Sequence, residues 1–345
     1  MRAPQARGPI SSNVLGWLRR EAPVDVPRVL DLDLAQWLDG VDPISDEDLQ
    51  ITLWSLYELH YRGFDDVDDS WEWSPECLAV RAGLEQRFEA ALRLHTADAV
   101  VAAQRSESDV ATTLFDLVES YESAPLAGYL QRTSTAEQAR EFLAHRSIYQ
   151  LKEADPHTWA VPRLSGQPKV SLVELQFDEY GAGSYQRMHA RMFADTLEAC
   201  GLDAAYGAYI DQVPAVTLSV SNAVSMFGLH RRLRGAAMGH LAAFEATSSL
   251  PARRVAMGLR RLDFPAAAAA YFDEHIEADA VHEQVAMRDI CAGLVEEDPT
   301  MLGDIAFGVA ACLELDLRSA RHLLDSWAAG ETSLDARLDA KAVPA

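Results

Sequence analysis

Helical spacing of apolar residues, with no convincing strand alternation anywhere, is the feature that most limits how this chain can fold. Residues 45–62 begin with Ser45 as a capping residue and carry acids in the first turn, and residues 74–95 begin with proline at the first helical position. Further helices are predicted over 107–131, 134–153, 170–180, 184–200, 203–211, 215–246, 251–260, 265–294 and 299–326. The sequence therefore predicts an all-α protein, interrupted by a proline-rich irregular segment at 155–169.

Charge and cysteine usage exclude several classes of partner. The formal net charge is −23, and so acidic a surface repels nucleic acid and anionic lipid. Because no run of about 18 apolar residues occurs, we expect neither a transmembrane helix nor a signal peptide. The four cysteines form no CxxC pair, and we interpret them as buried free thiols in the cytoplasm. Any metal must then be held by oxygen and nitrogen.

One predicted helix carries His275, Asp279 and His282 in the string EHIEADAVHE. At about 100° per residue, Asp279 lies about 40° from His275 and His282 about 20° the other way, so all three share one stripe. Two imidazoles and a carboxylate on one stripe can face one or two metal ions. Taken alone, the same pattern is also typical of a solvated acidic face.

Further ligand candidates lie on other helices. Glu245 stands among apolar residues in AAMGHLAAFEATSSL, where a carboxylate is unfavourable unless it is paired or binds metal. His189 lies on an apolar helix and, by itself, could equally be a hydrogen-bonded core histidine. Glu179 precedes it by ten residues, and Glu153 closes the helix predicted before the proline-rich segment.

Counting charge supports a dinuclear site. Glu153, Glu179, Glu245 and Asp279 supply four negative charges, while the three histidines are neutral ligands. Two Fe(II) ions carry four positive charges, so the buried cluster would be neutral. Mixed carboxylate and imidazole ligation suits iron or manganese, and helical bundles build such sites from facing helices.

The chain resembles the haem-oxygenase-like diiron oxidase and oxygenase family over about residues 45–326. The resemblance is carried by the strings AREFLAHRSIYQLKEADPHTWAVPRLSG, VELQFDEYGAG, LHRRLRGAAMGHLAAFEATSS and YFDEHIEADAVHE. It implies a haem-oxygenase-like helical bundle with additional N-terminal helices, and it implies seven iron ligands. These ligands are Glu153, Glu179, His189, Glu245, His275, Asp279 and His282. The expected division is an N-terminal, candidate dimerisation region at 1–98, a diiron domain at 99–329 and a flexible tail at 330–345.

The resemblance implies an O2-dependent enzyme of natural-product biosynthesis, with two irons and an external electron donor. The extra glutamate, Glu153, is typical of N-oxygenating members. We therefore hypothesise N-oxygenation of a small amine, guanidine or aminoazole through a peroxodiferric oxidant, in a protein that forms a homodimer. Two alternatives stay open, namely a desaturase or C–C lyase acting on a fatty or amino acid, and a non-catalytic helical metal-binding protein.

Overall fold

The computed structural model describes residues 1–20 and 40–335, and for residues 277–280 it describes the backbone alone. The first seven α-helices are α1 (Pro9–Leu18), α2 (Glu47–Glu58), α3 (Pro75–Gln104), α4 (Val110–Ser120), α5 (Leu126–Arg132), α6 (Ala136–Gln150) and α7 (Asp155–Thr158). The remaining seven are α8 (Gly166–Glu179), α9 (His189–Ala199), α10 (Ala215–Leu229), α11 (Arg234–Arg261), α12 (Ala267–Gln284), α13 (Gly293–Glu297) and α14 (Met301–Ala328). A π-helix (Val285–Ala292) joins α12 to α13, and the described residues include no β-strand, so the all-α prediction is confirmed.

Helices α2, α3, α4 and α6 begin where a side chain accepts a free N–H group of the first turn. The prediction of Ser45 as the cap of α2 is wrong by one residue, because the carboxylate of Asp46 accepts the N–H of Leu49. The predicted start of α6 is confirmed, since Thr135 caps it in a reciprocal capping box with Gln138. At these two helices the capping signals therefore define the start to within a residue.

The helix predicted over 203–211 is wrong. Gly201 and Gly207 adopt φ of 75° and 76°, values that a right-handed helix cannot contain. The hydroxyl of Tyr209 accepts the N–H of Asp203, which closes the segment as a series of turns. Apolar spacing misled the prediction here because it carries no information on backbone handedness.

Two other predicted boundaries are wrong because packing overrides local punctuation. The helix expected over 107–131 is divided into α4 and α5. The helix predicted over 215–246 ends at Leu229, as α10. The next helix, α11, does not end at 246 but continues through Pro251. Residues beyond that proline, including Ala252 and Val255, are buried, and their burial compensates the one helical hydrogen bond that proline removes.

Helix α11 lies at the centre of the fold and packs against both α12 and α14. Glycines permit the contact with α14: a Cβ on Gly239 would collide with the backbone of Ile305, and one on Gly308 would collide with the backbone of Ala236. The two helix axes can therefore approach closely without side chains between them. This close packing fixes the face of α11 that carries Glu245.

The N-terminal helices share one continuous hydrophobic core with the C-terminal helices. Ile10 of α1, Leu53 of α2, Phe227 of α10 and Phe307 of α14 all belong to the same buried cluster. All four cysteines are buried free thiols, as predicted. Among the described residues, no helix combines the length and apolarity needed to cross a bilayer.

A buried histidine ties α6 to the end of the described chain. His145 lies 2.6 Å from the hydroxyl of Thr217 through Nδ1 and 3.1 Å from that of Ser333 through Nε2. The residue is 4% exposed, and burial, helped by the nearby charge of His322, lowers its pKa to about 3. The residues just after α14 are thus anchored to α6, while 336–345 lie outside the described part of the chain.

His145 should make the fold less stable as the pH falls below about 6.5. The unfolded chain binds a proton there while the folded protein does not, so this contribution is complete above the unfolded pKa and is lost in acid. We expect the free energy of unfolding to fall by about 2 kcal/mol between pH 7 and pH 5 from this group alone. Urea denaturation at both pH values should show a difference that His145→Gln reduces by that amount, and an unchanged difference would contradict the assignment.

Candidate metal centre

Six of the seven predicted ligands converge on one buried region. They are Glu153, Glu179, His189, Glu245, His275 and His282, and each is at most 6% exposed. Helix α6 ends at Gln150, so Glu153 stands in the following turn and not at the end of a helix as predicted. The seventh predicted residue, Asp279, belongs to α12, but its side chain lies outside the described part of the structure.

A sharp turn brings His189 back beside Glu179. Helix α8 ends at Glu179, and Gly181 follows with φ of 78°, where a Cβ would collide with the backbone of Ser184 and Met188. His189 is then the first residue of α9, and its Nδ1 lies 2.9 Å from Oε2 of Glu179. The glycine thus permits two residues ten positions apart to meet.

The six side chains form two adjacent groups, each able to hold a metal ion. The first group is Glu153, His189 and His275, and the second is Glu179, Glu245 and His282. Within each group the three ligand atoms lie within 4.8 Å of one another. The contact between His189 and Glu179 crosses from the first group to the second, which places the two groups side by side.

The spacing of the second group fits a metal ion. His282 Nδ1 is buried, has no hydrogen bond to a described residue, and lies 3.7 Å from Glu179 Oε1 and 3.6 Å from Glu245 Oε2. These separations exceed ordinary hydrogen bonds. A first-row metal such as Zn²⁺ holds nitrogen and oxygen at about 2.0–2.2 Å, which separates neighbouring ligand atoms by about 3–4 Å. The donor set, three carboxylates and three imidazoles, suits iron or manganese.

The histidines carry raised pKa values where they face carboxylates. Burial disfavours the charge on His282, but Glu245 and Glu179 outweigh it and raise its pKa to about 9. Burial likewise opposes the charge on His189, yet Glu179 raises the pKa of His189 above its usual value. Without a cation the carboxylates therefore attract protons to these rings. Metal binding must displace those protons, so we expect affinity to fall in acid.

Tyr271, which the sequence interpretation missed, holds two members of the first group. Its hydroxyl donates to Glu153 at 2.8 Å from both carboxylate oxygens. Its backbone carbonyl lies 2.7 Å from Nδ1 of His275, so that nitrogen donates and Nε2 keeps its lone pair. The sequence did contain a signal for this role, because Tyr271 and His275 are four residues apart and therefore lie on the same face of one helix. Asp178, also missed, lies 3.4 Å from Nε2 of His282.

A family model of iron-containing redox enzymes matches residues 140–317, slightly more than half of the chain. The chain belongs to this family. Its helical architecture is therefore haem-oxygenase-like, and both the resemblance and the fold that it implied are confirmed. All seven predicted ligands lie inside the matched segment of this iron-containing redox enzyme.

The chain is also similar to a nitrosourea synthase from Streptomyces achromogenes subsp. streptozoticus. The two are 28% identical over 158 residues, which are 46% of this chain and 34% of that protein. The similarity thus spans about a third of the length of this relative.

A small cavity opens against both groups of this iron-containing redox enzyme. The space between its lining side chains measures about 280 Å³ and includes open solvent. The lining residues are Tyr149, Glu153, Ala154, His157, Gln176, Glu179, Leu241, Phe244, Glu245 and His275. Tyr149 and Phe244 meet edge to face at 5.3 Å between ring centroids and give the cavity an aromatic wall.

Tyr271→Phe should weaken metal binding at the first group by about 10- to 100-fold and leave the second group nearly unchanged. The expected cause is loss of the hydroxyl that orients Glu153. Anaerobic titration of Fe(II), followed by iron analysis, measures the two affinities. Tyr149→Phe is the matched control, because that hydroxyl has no hydrogen bond to a described residue. Equal affinities in both variants would contradict the role given to Tyr271.

Proposed function

We propose that this protein is a non-haem diiron oxygenase that uses O2 to oxidise nitrogen in a small amine, guanidine or aminoazole. The observation that carries the proposal is the pair of adjacent carboxylate and histidine groups, which face one small cavity. Oxidation of an amine to a hydroxylamine consumes O2, two electrons and two protons and releases water. An external electron donor would supply those electrons.

Seven residues would hold the irons. Glu153, His189 and His275 would bind one ion, and Glu179, Glu245 and His282 the other. We add Asp279 as the seventh ligand because it shares the helical stripe of His275 and His282. When bound, ferrous ions would provide the reducing electrons for O2 beside the cavity. Four carboxylates and two ferrous ions leave the buried cluster neutral.

The protein's own residues would position the ligands and shape the substrate site. Tyr271 orients Glu153 and fixes the tautomer of His275. The aromatic rings of Tyr149 and Phe244 would contact the apolar part of a substrate in this cavity.

The similar protein gives independent support for nitrogen chemistry. It is a nitrosourea synthase, and a nitrosourea contains nitrogen bonded to oxygen. We extend that chemistry to this chain as a proposal, together with a homodimeric assembly through the N-terminal region 1–98.

The proposal is tested by isotope labelling. The iron-loaded, reduced protein is mixed with ¹⁸O2 and a panel of small amines, guanidines and aminoazoles, with fatty and amino acids as the comparison set. We expect ¹⁸O on nitrogen in at least one product, detected by mass spectrometry. Products desaturated or cleaved at carbon would favour the alternative enzyme class, and absence of O2 uptake with every compound would contradict an oxygenase.

A further inference from the structure

Gln176 faces the cavity from α8, one turn before Glu179, and is 5% exposed. As placed, its amide oxygen lies 3.1 Å from the hydroxyl of Thr158, while its Nε2 is buried without a hydrogen bond to any described residue. An unpartnered buried amide donor is unfavourable and calls for an explanation. The oxygen and nitrogen of a glutamine amide have nearly the same shape, so hydrogen bonding decides its orientation.

A chain of hydrogen bonds leads from the surface to this amide, and its protons can be counted. The hydroxyl of Tyr180 lies 2.8 Å from Oδ1 of Asp155, which as a carboxylate can only accept. A phenol keeps its proton at neutral pH. That single proton is donated to Asp155, and the phenol oxygen can only accept from its other neighbour.

The next neighbour is Thr158, whose hydroxyl oxygen lies 3.0 Å from that of Tyr180. The Thr158 hydroxyl also lies 3.2 Å from the carbonyl oxygen of Ala154, which can only accept. Because Tyr180 has no second proton, Thr158 donates either to Tyr180 or to Ala154. A hydroxyl has one proton, so toward Gln176 the Thr158 oxygen can only accept. The group of Gln176 that meets Thr158 must therefore be its NH2, and the amide oxygen must point into the cavity.

This orientation satisfies every member of the chain. Each donor from Gln176 through Thr158 and Tyr180 to Asp155 has one acceptor, and the buried amide donor is no longer unpaired. The atom presented to the cavity is a carbonyl oxygen, beside Glu179 of the metal centre. A carbonyl oxygen with lone pairs accepts hydrogen bonds from ligands and gives none.

We propose that Gln176 is a specificity-determining residue whose amide oxygen, oriented by Thr158, Tyr180 and Asp155, selects ligands that present N–H donors to the metal centre. We expect the ligand to be an amine, an amidine or a guanidine. That such a ligand is then oxidised at nitrogen rests on the proposed function. Ligands that could only accept hydrogen bonds at this point, such as carboxylates, would be rejected.

His157 complements this residue in the same cavity. It is 2% exposed, and its Nε2 is buried without a hydrogen bond to a described residue. Burial lowers its pKa to about 4, so the ring is neutral at pH 7 and adds no charge that would repel a cation. A ligand with N–H donors, whether cationic or neutral, thus faces the uncharged side chains of Gln176 and His157 on one side of the cavity. On the other side it faces the carboxylates of the metal centre.

The experiment measures ligand binding without turnover. The Fe(II)-loaded full-length protein is titrated anaerobically with methylguanidine and, separately, with acetate, using isothermal titration calorimetry. We expect the wild type to bind methylguanidine, and Gln176→Met to bind it about 10-fold more weakly with unchanged iron content. Thr158→Val should weaken binding by a smaller factor, about 3-fold, because the amide is no longer held in one orientation.

Gln167→Met is the matched control, since Gln167 lies on the same helix but is exposed and away from the cavity. Failure of methylguanidine to bind the wild type would overturn the proposal, as would equal binding by Gln176→Met. Loss of acetate binding in Gln176→Met, with methylguanidine unaffected, would show the opposite amide orientation. Binding that depends on Gln176 without N-oxygenation on adding O2 would refute the proposed function and leave this inference standing.

Discussion

Glu245→Ala is expected to leave about one tightly bound iron per chain and to lower O2 uptake at least 100-fold. Glu245 is one of the three described residues of the second group, and its loss leaves Glu179 and His282 beside a buried gap. Residues that only orient ligands already contribute about 10- to 100-fold to affinity or activity, so a ligand itself should contribute more. Iron analysis after gel filtration and an oxygen electrode measure both effects.

The first group offers the reciprocal test. Glu153→Ala should also reduce the iron content to about one per chain, while Glu179, Glu245 and His282 keep theirs. Glu174→Ala is the control, because Glu174 lies on the same helix as Glu179 but is exposed to solvent. Full iron content in Glu245→Ala and Glu153→Ala would contradict the assignment of two three-residue groups.

Glu58→Ala is expected to lower the free energy of unfolding by about 3–5 kcal/mol. Glu58 is fully buried, its Oε2 lies 3.3 Å from Nζ of Lys152, and it accepts the hydroxyl of Tyr206 at 2.7 Å. Lys152 is 1% exposed, and its ammonium lies 4.2 Å from the ring centroid of Tyr61. Burial lowers the pKa of Lys152 while Glu58 opposes that shift, so removal of Glu58 leaves a buried amine without its counter-charge.

Urea denaturation measures this effect, and a double variant separates charge from packing. Replacing the pair together, Glu58→Leu with Lys152→Met, should recover most of the lost stability, because no unpaired charge remains. A loss below about 1 kcal/mol in Glu58→Ala would mean that water reaches the pair. Since Lys152 precedes Glu153, iron binding by the first group should weaken in Glu58→Ala as well.

The stripe on α12 shows how far sequence alone could define the site. The helical period places His275 and His282 on one face, but seven residues separate them by about 10.5 Å along the axis. The structure places the two histidines in different groups. Periodicity therefore predicted the shared face, while the division into two groups depended on the turn after α6 and on helices α8, α9 and α11.

Other parts of the site had no local signal. Glu153 stands in a turn whose position depends on the buried Lys152, and Gln176 acquires its orientation from residues on two segments. The π-helix after α12 carries a hydrogen-bond pattern that apolar spacing does not encode. Helix caps and apolar stripes are local, whereas these features arise from tertiary contacts, which a single sequence does not display.

The central claim is that two irons bind side by side and react with O2. Its most direct test is an anaerobic Fe(II) titration of the purified protein, followed by Mössbauer spectroscopy before and after one addition of O2. The account predicts saturation at two irons per chain and, after O2, magnetically coupled ferric ions in equal amounts. Saturation at one iron, or two irons that O2 leaves ferrous, would contradict it.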